Sequence, residues 1–301
     1  MNLNKPVRCS TFSVIAYDPD ENRIGVAVQS KFFAVGASVP WVKPGVGAVA
    51  TQAYTNLKYG IQGLELLEEG VGPTEILTDL LSDDPQAEMR QVAIMDSNGN
   101  PGVHTGRETP AVADHIKKRN FICQGNLLTS SSVVKEMAEE YESNRGRLGR
   151  RLIRALRAGQ RAGGDKRGRQ SAALVVLNNN PGKSANLQDR VDIRVDDHLK
   201  PIEELDRLLG LHELYFDSPE TRNYQKVQRG DVVIFQDVLT ELGFYDGEVN
   251  GKLTDRTVEG LDNFLWSENL GATVTKAEDG EVSVDRRLFD YMKELVNRRK
   301  Q

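Results

Sequence analysis

The sequence predicts an α+β protein: two stacked β-sheets flanked by helices, followed by a small three-helix unit. Three observations predict it. Strand-like and helix-like segments alternate in blocks over residues 11–216; a polar stretch without apolar period follows at 218–231; and three short amphipathic patterns come after it. A chain of 301 residues, 39% of them hydrophobic and 28% charged, can bury one large core and a small satellite core. A three-layer sandwich would give a similar string, so periodicity leaves the number of layers open.

Taken in order, TFSVIAY (11–17) and IGVAVQS (24–30) are β-like and are joined by the acidic turn DPDEN. VGAVATQA (46–53) is a third strand. NLKYGIQGLELLEEG puts Ile61, Leu64 and Leu67 near one helical face, and PTEILTDLLSDD opens with a proline suited to a first helical position. QVAIMDSNGNPGVHTG is a hairpin signal around Asn98-Gly99. FICQGNLL is a short strand leading into Ser130–Ser132, expected to cap the helix VVKEMAEEY. A helix over about 147–161 carries arginines on one side (Arg147, Arg150, Arg151, Arg154, Arg161) and Leu148, Leu152, Ala155 and Leu156 on the other. Gly163-Gly164 stops it. SAALVVLN is a buried strand, and RVDIRVDD with the helix KPIEELDRLLGLHELYF completes the unit.

These patterns divide the chain into a domain over 1–217, a linker at 218–230 and a three-helix domain at 231–301, the last built around Val233/Phe235/Leu239, Val258/Leu261/Phe264/Leu265 and Leu288/Tyr291/Met292/Leu295. Phe235, Phe244, Tyr245, Phe264 and Trp266 are expected in its core.

Bulk properties narrow the function. Residues 145–170 hold ten Lys/Arg and one acid, whereas the whole chain has a net charge of −5, so the positive charge is local. That stretch has no interleaved aromatics, which argues against nucleic acid as a partner. No apolar run reaches membrane-spanning length, and the N-terminus lacks a signal-peptide h-region. Only Cys9 and Cys123 occur, which points to a reducing, cytoplasmic setting. No His/Cys/Asp cluster has metal-ligand spacing, so neither a metal nor another cofactor is expected.

The blocks TFSVIAYDPDENRIGVAVQSKFFAVGASVPWVKPGVGAVATQAYTN, QGNLL and AGGDKRGRQSAALVV resemble, in order and spacing, the domain of unknown function 1028 family over about residues 11–215. That family is similar to the N-terminal-nucleophile (Ntn) hydrolases, which implies a four-layer αββα sandwich. The tail VVIFQDVLTELGFYDGEVNGKLTDRTVEGLDNFLWSENL is similar to a small three-helix peptidoglycan-binding module. Its likeness rests on Gln236, Leu239, Leu242-Gly243, Tyr245-Asp246-Gly247, Gly251 and Thr257.

The resemblance implies that Thr11 is a nucleophile whose own α-amine, with a pKa of about 8, serves as the base. Ten residues precede Thr11, so residues 1–10 are expected to be a propeptide cut between Ser10 and Thr11, with Cys9 and Ser10 as fallback nucleophiles. Read as β-strand residues alone, Thr11 is an ordinary β-branched opener and Lys31 a solvated strand end. In the Ntn reading, Gln29, Ser30 and Lys31 flank the nucleophile, with Lys31 tuning it. Asn126, with Gly125, supplies oxyanion donors. Gln52, His104, Thr105, Gln124, Asp165, Arg167, Gln170 and Ser171 are further candidates for binding substrate. Asp165 can anchor Arg167 while Lys166, Arg167 and Arg169 face a cleft, because charge beside a buried strand is costly to leave unpaired. The function expected is hydrolysis of an amide bond in a small, anionic acyl-amino compound, by a homo-oligomer without membrane partners. Two alternatives stand beside it: a non-catalytic ligand-binding or assembly protein, and a cell-wall-associated amidase. Peptidoglycan is disfavoured as a partner.

Overall fold

The computed structural model describes residues 8–276 and 281–299; residues 1–7 of the expected propeptide and the side chain of Cys9 lie outside it. The chain divides into two compact units, Met1–Leu209 and Gly210–Gln301.

The first unit begins with β1 (Arg8–Cys9), β2 (Thr11–Asp18), β3 (Arg23–Ser30), β4 (Pro40–Lys43) and β5 (Gly47–Tyr54). Helices α1 (Lys58–Glu68) and α2 (Pro73–Ser82) follow, then β6 (Arg90–Asp96), β7 (Pro101–Thr105), β8 (Asp114–Lys118) and β9 (Phe121–Gly125). Next come α3 (Ser132–Ser143), α4 (Leu148–Arg161), β10 (Ser171–Asn178), β11 (Arg190–Val195) and α5 (Pro201–Phe216), whose residues from Gly210 on belong to the second unit. One antiparallel sheet has the order β1-β5-β6-β7, with β4 also on β5; the other runs β11-β10-β3-β2-β9-β8.

Alternation along the strands sorts the side chains into layers. Ile15, Val26, Val28, Ala48, Ala50, Ala93 and Met95 form a core between the sheets. Phe12, Val14 and Ala16, on the opposite face of β2, pack with Met137 of α3, Leu152 and Leu156 of α4 and Leu205 of α5. Val49, Val92 and Ile94 carry Tyr59, Leu67, Ile76 and Leu77 of α1 and α2 on the outer face of the first sheet. Helices therefore cover both outer faces of a two-sheet stack.

Three local features depart from the sequence reading. Strand β8, DHIKK, has no apolar signal because it is an edge strand whose lysines discourage pairing with another chain. The serines before α3 form no side-chain cap: Ser131 is already helical (φ −67°, ψ −19°). The arginine stripe of α4 is largely paired on the chain itself. Arg150 and Arg157 share Asp206, Arg151 binds Asp18 at 2.7 Å, and Arg161 meets Glu140.

The second unit contains β12 (Tyr224–Lys226), α6 (Arg229–Leu242), α7 (Asp255–Ser267), β13 (Val274–Lys276), β14 (Val282–Asp285) and α8 (Arg287–Arg299). Beside its three helices it has a three-stranded sheet, β12-β14-β13, that the helical patterns did not predict. The strands are three to four residues long, too short to show a period of two. Phe235, Leu239, Leu261, Phe264, Leu288 and Met292 form the core, joined by Leu214 from the end of α5. Trp266 does not belong to it: it is 84% exposed, at a cleft lined with Asp262, Asn269 and Gly271.

Candidate functional site

Thr11 opens β2, a central strand of the second sheet, and is fully buried. Its register partner is Ser30 at the end of β3. Alternation puts Thr11 on the face of Ser13 and Ile15, toward the other sheet. At this end of the stack the apolar intersheet core gives way to neutral polar side chains. Ser13 donates to Gln52 Oε1 (2.7 Å), and Gln52 Nε2 donates to Gln91 Oε1 (2.7 Å) and to the Thr11 carbonyl (3.3 Å). Gln124 Nε2 donates to Ser13 Oγ (3.3 Å) and the Ala50 carbonyl (3.0 Å). Asn126 Nδ2 donates to Gln91 Oε1 (3.0 Å), while its backbone N–H donates to the Thr11 carbonyl (2.9 Å).

The peptide bond before Thr11 is held separately. The Ser10 carbonyl accepts from Ser30 Oγ at 2.6 Å and from a terminal guanidinium nitrogen of Arg167 at 2.7 Å. Asp165, 2% exposed, aims that guanidinium. It accepts from Arg167 Nε (3.1 Å), from the same terminal nitrogen, Nη2, that reaches the Ser10 carbonyl (2.7 Å), and from the backbone N–H groups of Arg167 (2.9 Å) and Lys31 (3.1 Å). An acidic group buried this deeply requires such neutralisation.

The glycines of AGGDKRGRQ make the loop. Gly163 sits at φ +115°, and a Cβ there would lie 2.2 Å from Thr129 Oγ1, so both the backbone and the space demand glycine. Asp165 bridges to Leu128, tying this loop to the segment after β9. The charges singled out in the sequence thus lie beside the strand that bears Thr11, with Asp165 and Arg167 neutralising each other.

The remaining candidates divide. Thr105 joins through Gln91 Nε2 (3.0 Å) and meets His115 Nδ1 at 2.9 Å, where burial lowers the imidazole pKa. Gly125 lends its carbonyl to Gln91 Nε2 (3.0 Å). Ser171 Oγ accepts from Val35 N (3.1 Å) and donates to the Phe32 carbonyl, fixing the turn after β3. Gln170 reaches Asp197 with its side chain. The Lys31 side chain is on the exposed side, 3.5 Å from the Arg169 carbonyl. His104 lies opposite Val92, on the helix-covered face, with Nε2 3.0 Å from the Ala87 carbonyl, so it is not brought to this network. Ser13, Gln91 and His115 were not singled out in the sequence. A polar residue at an inward position of a strand was the available signal for Ser13 and Gln91.

Several buried polar atoms here have no hydrogen-bond partner within the described chain: Ser10 Oγ, both amide atoms of Gln29, Gln124 Oε1 and Asn126 Oδ1. Cys123, by contrast, is a poor nucleophile: it sits in the apolar core and burial pushes its thiol pKa up. Among the described residues, no group of three His, Cys, Asp or Glu could hold a metal ion, and no helix is long and apolar enough to cross a membrane.

Two face-to-face antiparallel sheets between helical layers, with a polar patch at the head of a central strand, define the class of fold. The chain belongs to the family of unknown function DUF1028, whose model matches residues 11–205. Residues 215–292 match a second model, described as "Putative peptidoglycan binding domain". The crystal structure of a DUF1028 protein from Silicibacter pomeroyi is similar at 30% identity, with a TM-score of 0.62, over 68% of this chain and 89% of that one. No curated protein matches the chain.

Proposed function

We propose that this protein is an Ntn-type amidohydrolase, with Thr11 as nucleophile after cleavage of the Ser10–Thr11 bond. The carrying observation is the pair of donors, Ser30 Oγ and Arg167, on the carbonyl immediately before a threonine that opens a central strand. Such donors stabilise the negative charge that develops when a hydroxyl adds to that carbonyl.

In the first reaction the Thr11 hydroxyl adds to the Ser10 carbonyl carbon, and the Ser10–Thr11 C–N bond breaks as the nitrogen takes up the hydroxyl proton. Water then hydrolyses the resulting ester. Residues 1–10 leave as a carboxylate, and Thr11 gains a free amine. In the second reaction this amine accepts the Thr11 hydroxyl proton as the oxygen attacks a substrate amide. The oxyanion takes the place of the Ser10 oxygen, the amine leaves carrying the proton, and water releases the acid. Asp165 holds Arg167 in position, and Gln52 and Asn126 fix the Thr11 backbone. Lys31 contributes its backbone N–H to Asp165, which leaves Arg167 as the cation nearest the reacting carbonyl.

Intact-mass measurement with N-terminal sequencing tests this reading. The expected result is a chain beginning at Thr11 that hydrolyses amides, and a Thr11→Ala protein that stays whole and inactive. An uncut protein that turned over amides would remove Thr11 from its role. An uncut protein that bound ligands without turnover would favour a binding or assembly function. Trp266 beside the Asp262/Asn269 cleft supports a second reading of the small unit as a binding module, tested by sedimentation with peptidoglycan.

A further inference from the structure

The ester formed when the chain cuts itself and the ester formed with a substrate are the same kind of species. In each, the Thr11 oxygen is bonded to an acyl carbon whose oxygen faces Ser30 and Arg167. The path that the chain takes before Ser10 is therefore a path open to the acyl part of a substrate. This rests on the reading of Thr11 given above.

That path leaves the sheet of Thr11 at once. Thr11 pairs with Ser30 of β3, whereas Cys9 pairs with Ala53 and Arg8 with Tyr54, both of β5 in the other sheet. Ser10, fully buried, is the crossing. Strand β5 has β6 along one side from Gly47 to Ala53. On its other side, β4 and the residue before it cover Gly47 to Thr51. Among the described residues, β1 is the strand that covers Ala53 on that side. Cleavage between Ser10 and Thr11 cuts β1 off from the rest of the protein. Two residue pairs do not hold a strand by themselves, so cleavage frees the segment and leaves the edge at Ala53 without its partner.

The directions of the hydrogen bonds define what that edge offers. Along a strand, successive backbone groups point to opposite neighbours. On the β6 side, the Val46 carbonyl accepts from Ser97 N–H (3.0 Å); on the β4 side, Thr51 N–H donates to the Val39 carbonyl (3.2 Å). Odd-numbered positions of β5 thus turn to the edge, and the next after Thr51 is Ala53. The Tyr54 carbonyl turns the other way and accepts from Arg90 Nη1. Ala53 is fully buried and holds φ +70°, a left-handed conformation that is unfavourable for a residue with a Cβ and that gathers at ligand clamps. An N–H and a C=O side by side on a strand edge fit extended peptide backbone laid antiparallel to them. No charge is demanded of that peptide, because Arg167 is already neutralised by Asp165.

We propose that the edge of β5 at Ala53 is the acyl-side binding site of the enzyme, and that the substrate is an extended peptidyl amide. The residue in the place of Ser10 gives its carbonyl to Ser30 and Arg167. The residue before it exchanges N–H and C=O with Ala53. Recognition there is by main chain, so the side chain of that second residue is free to vary. The acyl part is then longer than the small anionic compound expected from the sequence.

The test uses full-length expressed protein whose mass has been recorded. N-acetylalanylserine 4-nitroanilide is expected to exceed N-acetylserine 4-nitroanilide in kcat/KM by about fivefold, the size of one added backbone hydrogen bond. A methyl group on the alanyl nitrogen is expected to bring the ratio to within about twofold, because it removes the donor to Ala53. In N-acetylalanylalanylserine 4-nitroanilide, a methyl group on the outer alanyl nitrogen is expected to change kcat/KM by less than about twofold, since the place of Arg8 turns its N–H away from β5. In a second arm, calorimetry follows the synthetic peptide of residues 1–10 binding to the cut protein. The same peptide methylated on the Cys9 nitrogen is expected to bind about fivefold more weakly. A cut protein that is indifferent to methylation of that nitrogen in either arm, or that fails to bind the synthetic peptide, overturns the β5 site while leaving Thr11 in place. A wild-type chain that stays whole and turns over none of these amides overturns Thr11 and the site together.

Discussion

Gln236 in the small unit and Gln29 in the large one are both fully buried glutamines, yet their surroundings differ. Gln236 Nε2 donates to the Lys252 carbonyl (3.0 Å) and Thr257 Oγ1 (3.1 Å) and lies 3.3 Å from the Tyr245 hydroxyl. Its Oε1 accepts from the N–H groups of Asn250 and Gly251, both at 2.9 Å. It fastens the loop between α6 and α7. Gln29 has no partner for either amide atom among the described residues. A saturated buried amide holds a fold together, whereas an unsatisfied one spends stability on something else, and function is the usual beneficiary.

The comparison can be broken in several ways. The largest effect is expected from Thr11→Ala, which should abolish cleavage and lower amide turnover by at least about a thousandfold. A single cooperative urea transition in that variant would show that it is folded, separating loss of chemistry from loss of structure.

Asp84 extends the saturated side of the comparison into the large unit. It accepts from Arg90 Nε and the Tyr59 hydroxyl, at 2.7 and 3.1 Å. Burial opposes its ionisation, but the hydrogen bonds and charge of Arg90 outweigh this and push its pKa down to about 2. Asp84→Asn should cost about 3 kcal/mol in urea unfolding, because it leaves Arg90 buried without its counter-charge. The folded pKa lies below the ordinary carboxylate value, so this contribution is complete above about pH 4 and is lost as pH falls toward about 2. Unfolding measured across that window should show a drop in the wild type that Asp84→Asn flattens.

Gln236→Leu should cost about 2 kcal/mol, since the N–H groups of Asn250 and Gly251 lose their acceptor; thermal unfolding followed by hydrogen exchange at those amides would check it. The smallest effect is expected from Gln29→Leu, within about 1 kcal/mol of the wild type and of either sign, because no existing hydrogen bond is lost. A destabilisation as large as that of Gln236→Leu would show that Gln29 is structural after all.

Much of this was legible in the sequence. The near-continuous apolar, β-rich runs TFSVIAY and IGVAVQS mark strands buried on both faces, and the glycines of AGGDKRGRQ mark a loop that side chains could not make. Both are local properties, set by residue type along a short run or by the absence of a Cβ. The edge strand DHIKK and the three short strands of the small unit were hidden, one by its charges and the others by their length. Trp266 sits beside Leu265 on α7, and one step around a helix separates a buried position from a solvent-facing one.

By itself, then, the sequence determined which segments alternate, where the chain must turn, and which residue types were available for chemistry. Only the tertiary structure decided that Arg167 reaches the carbonyl of Ser10 across 157 positions of chain, that Asp165 faces the end of β3, and that the amides of Gln52, Gln91 and Asn126 meet. The reason is physical. Strand periodicity records which way each side chain faces, but sheet register and layer packing decide what it meets there.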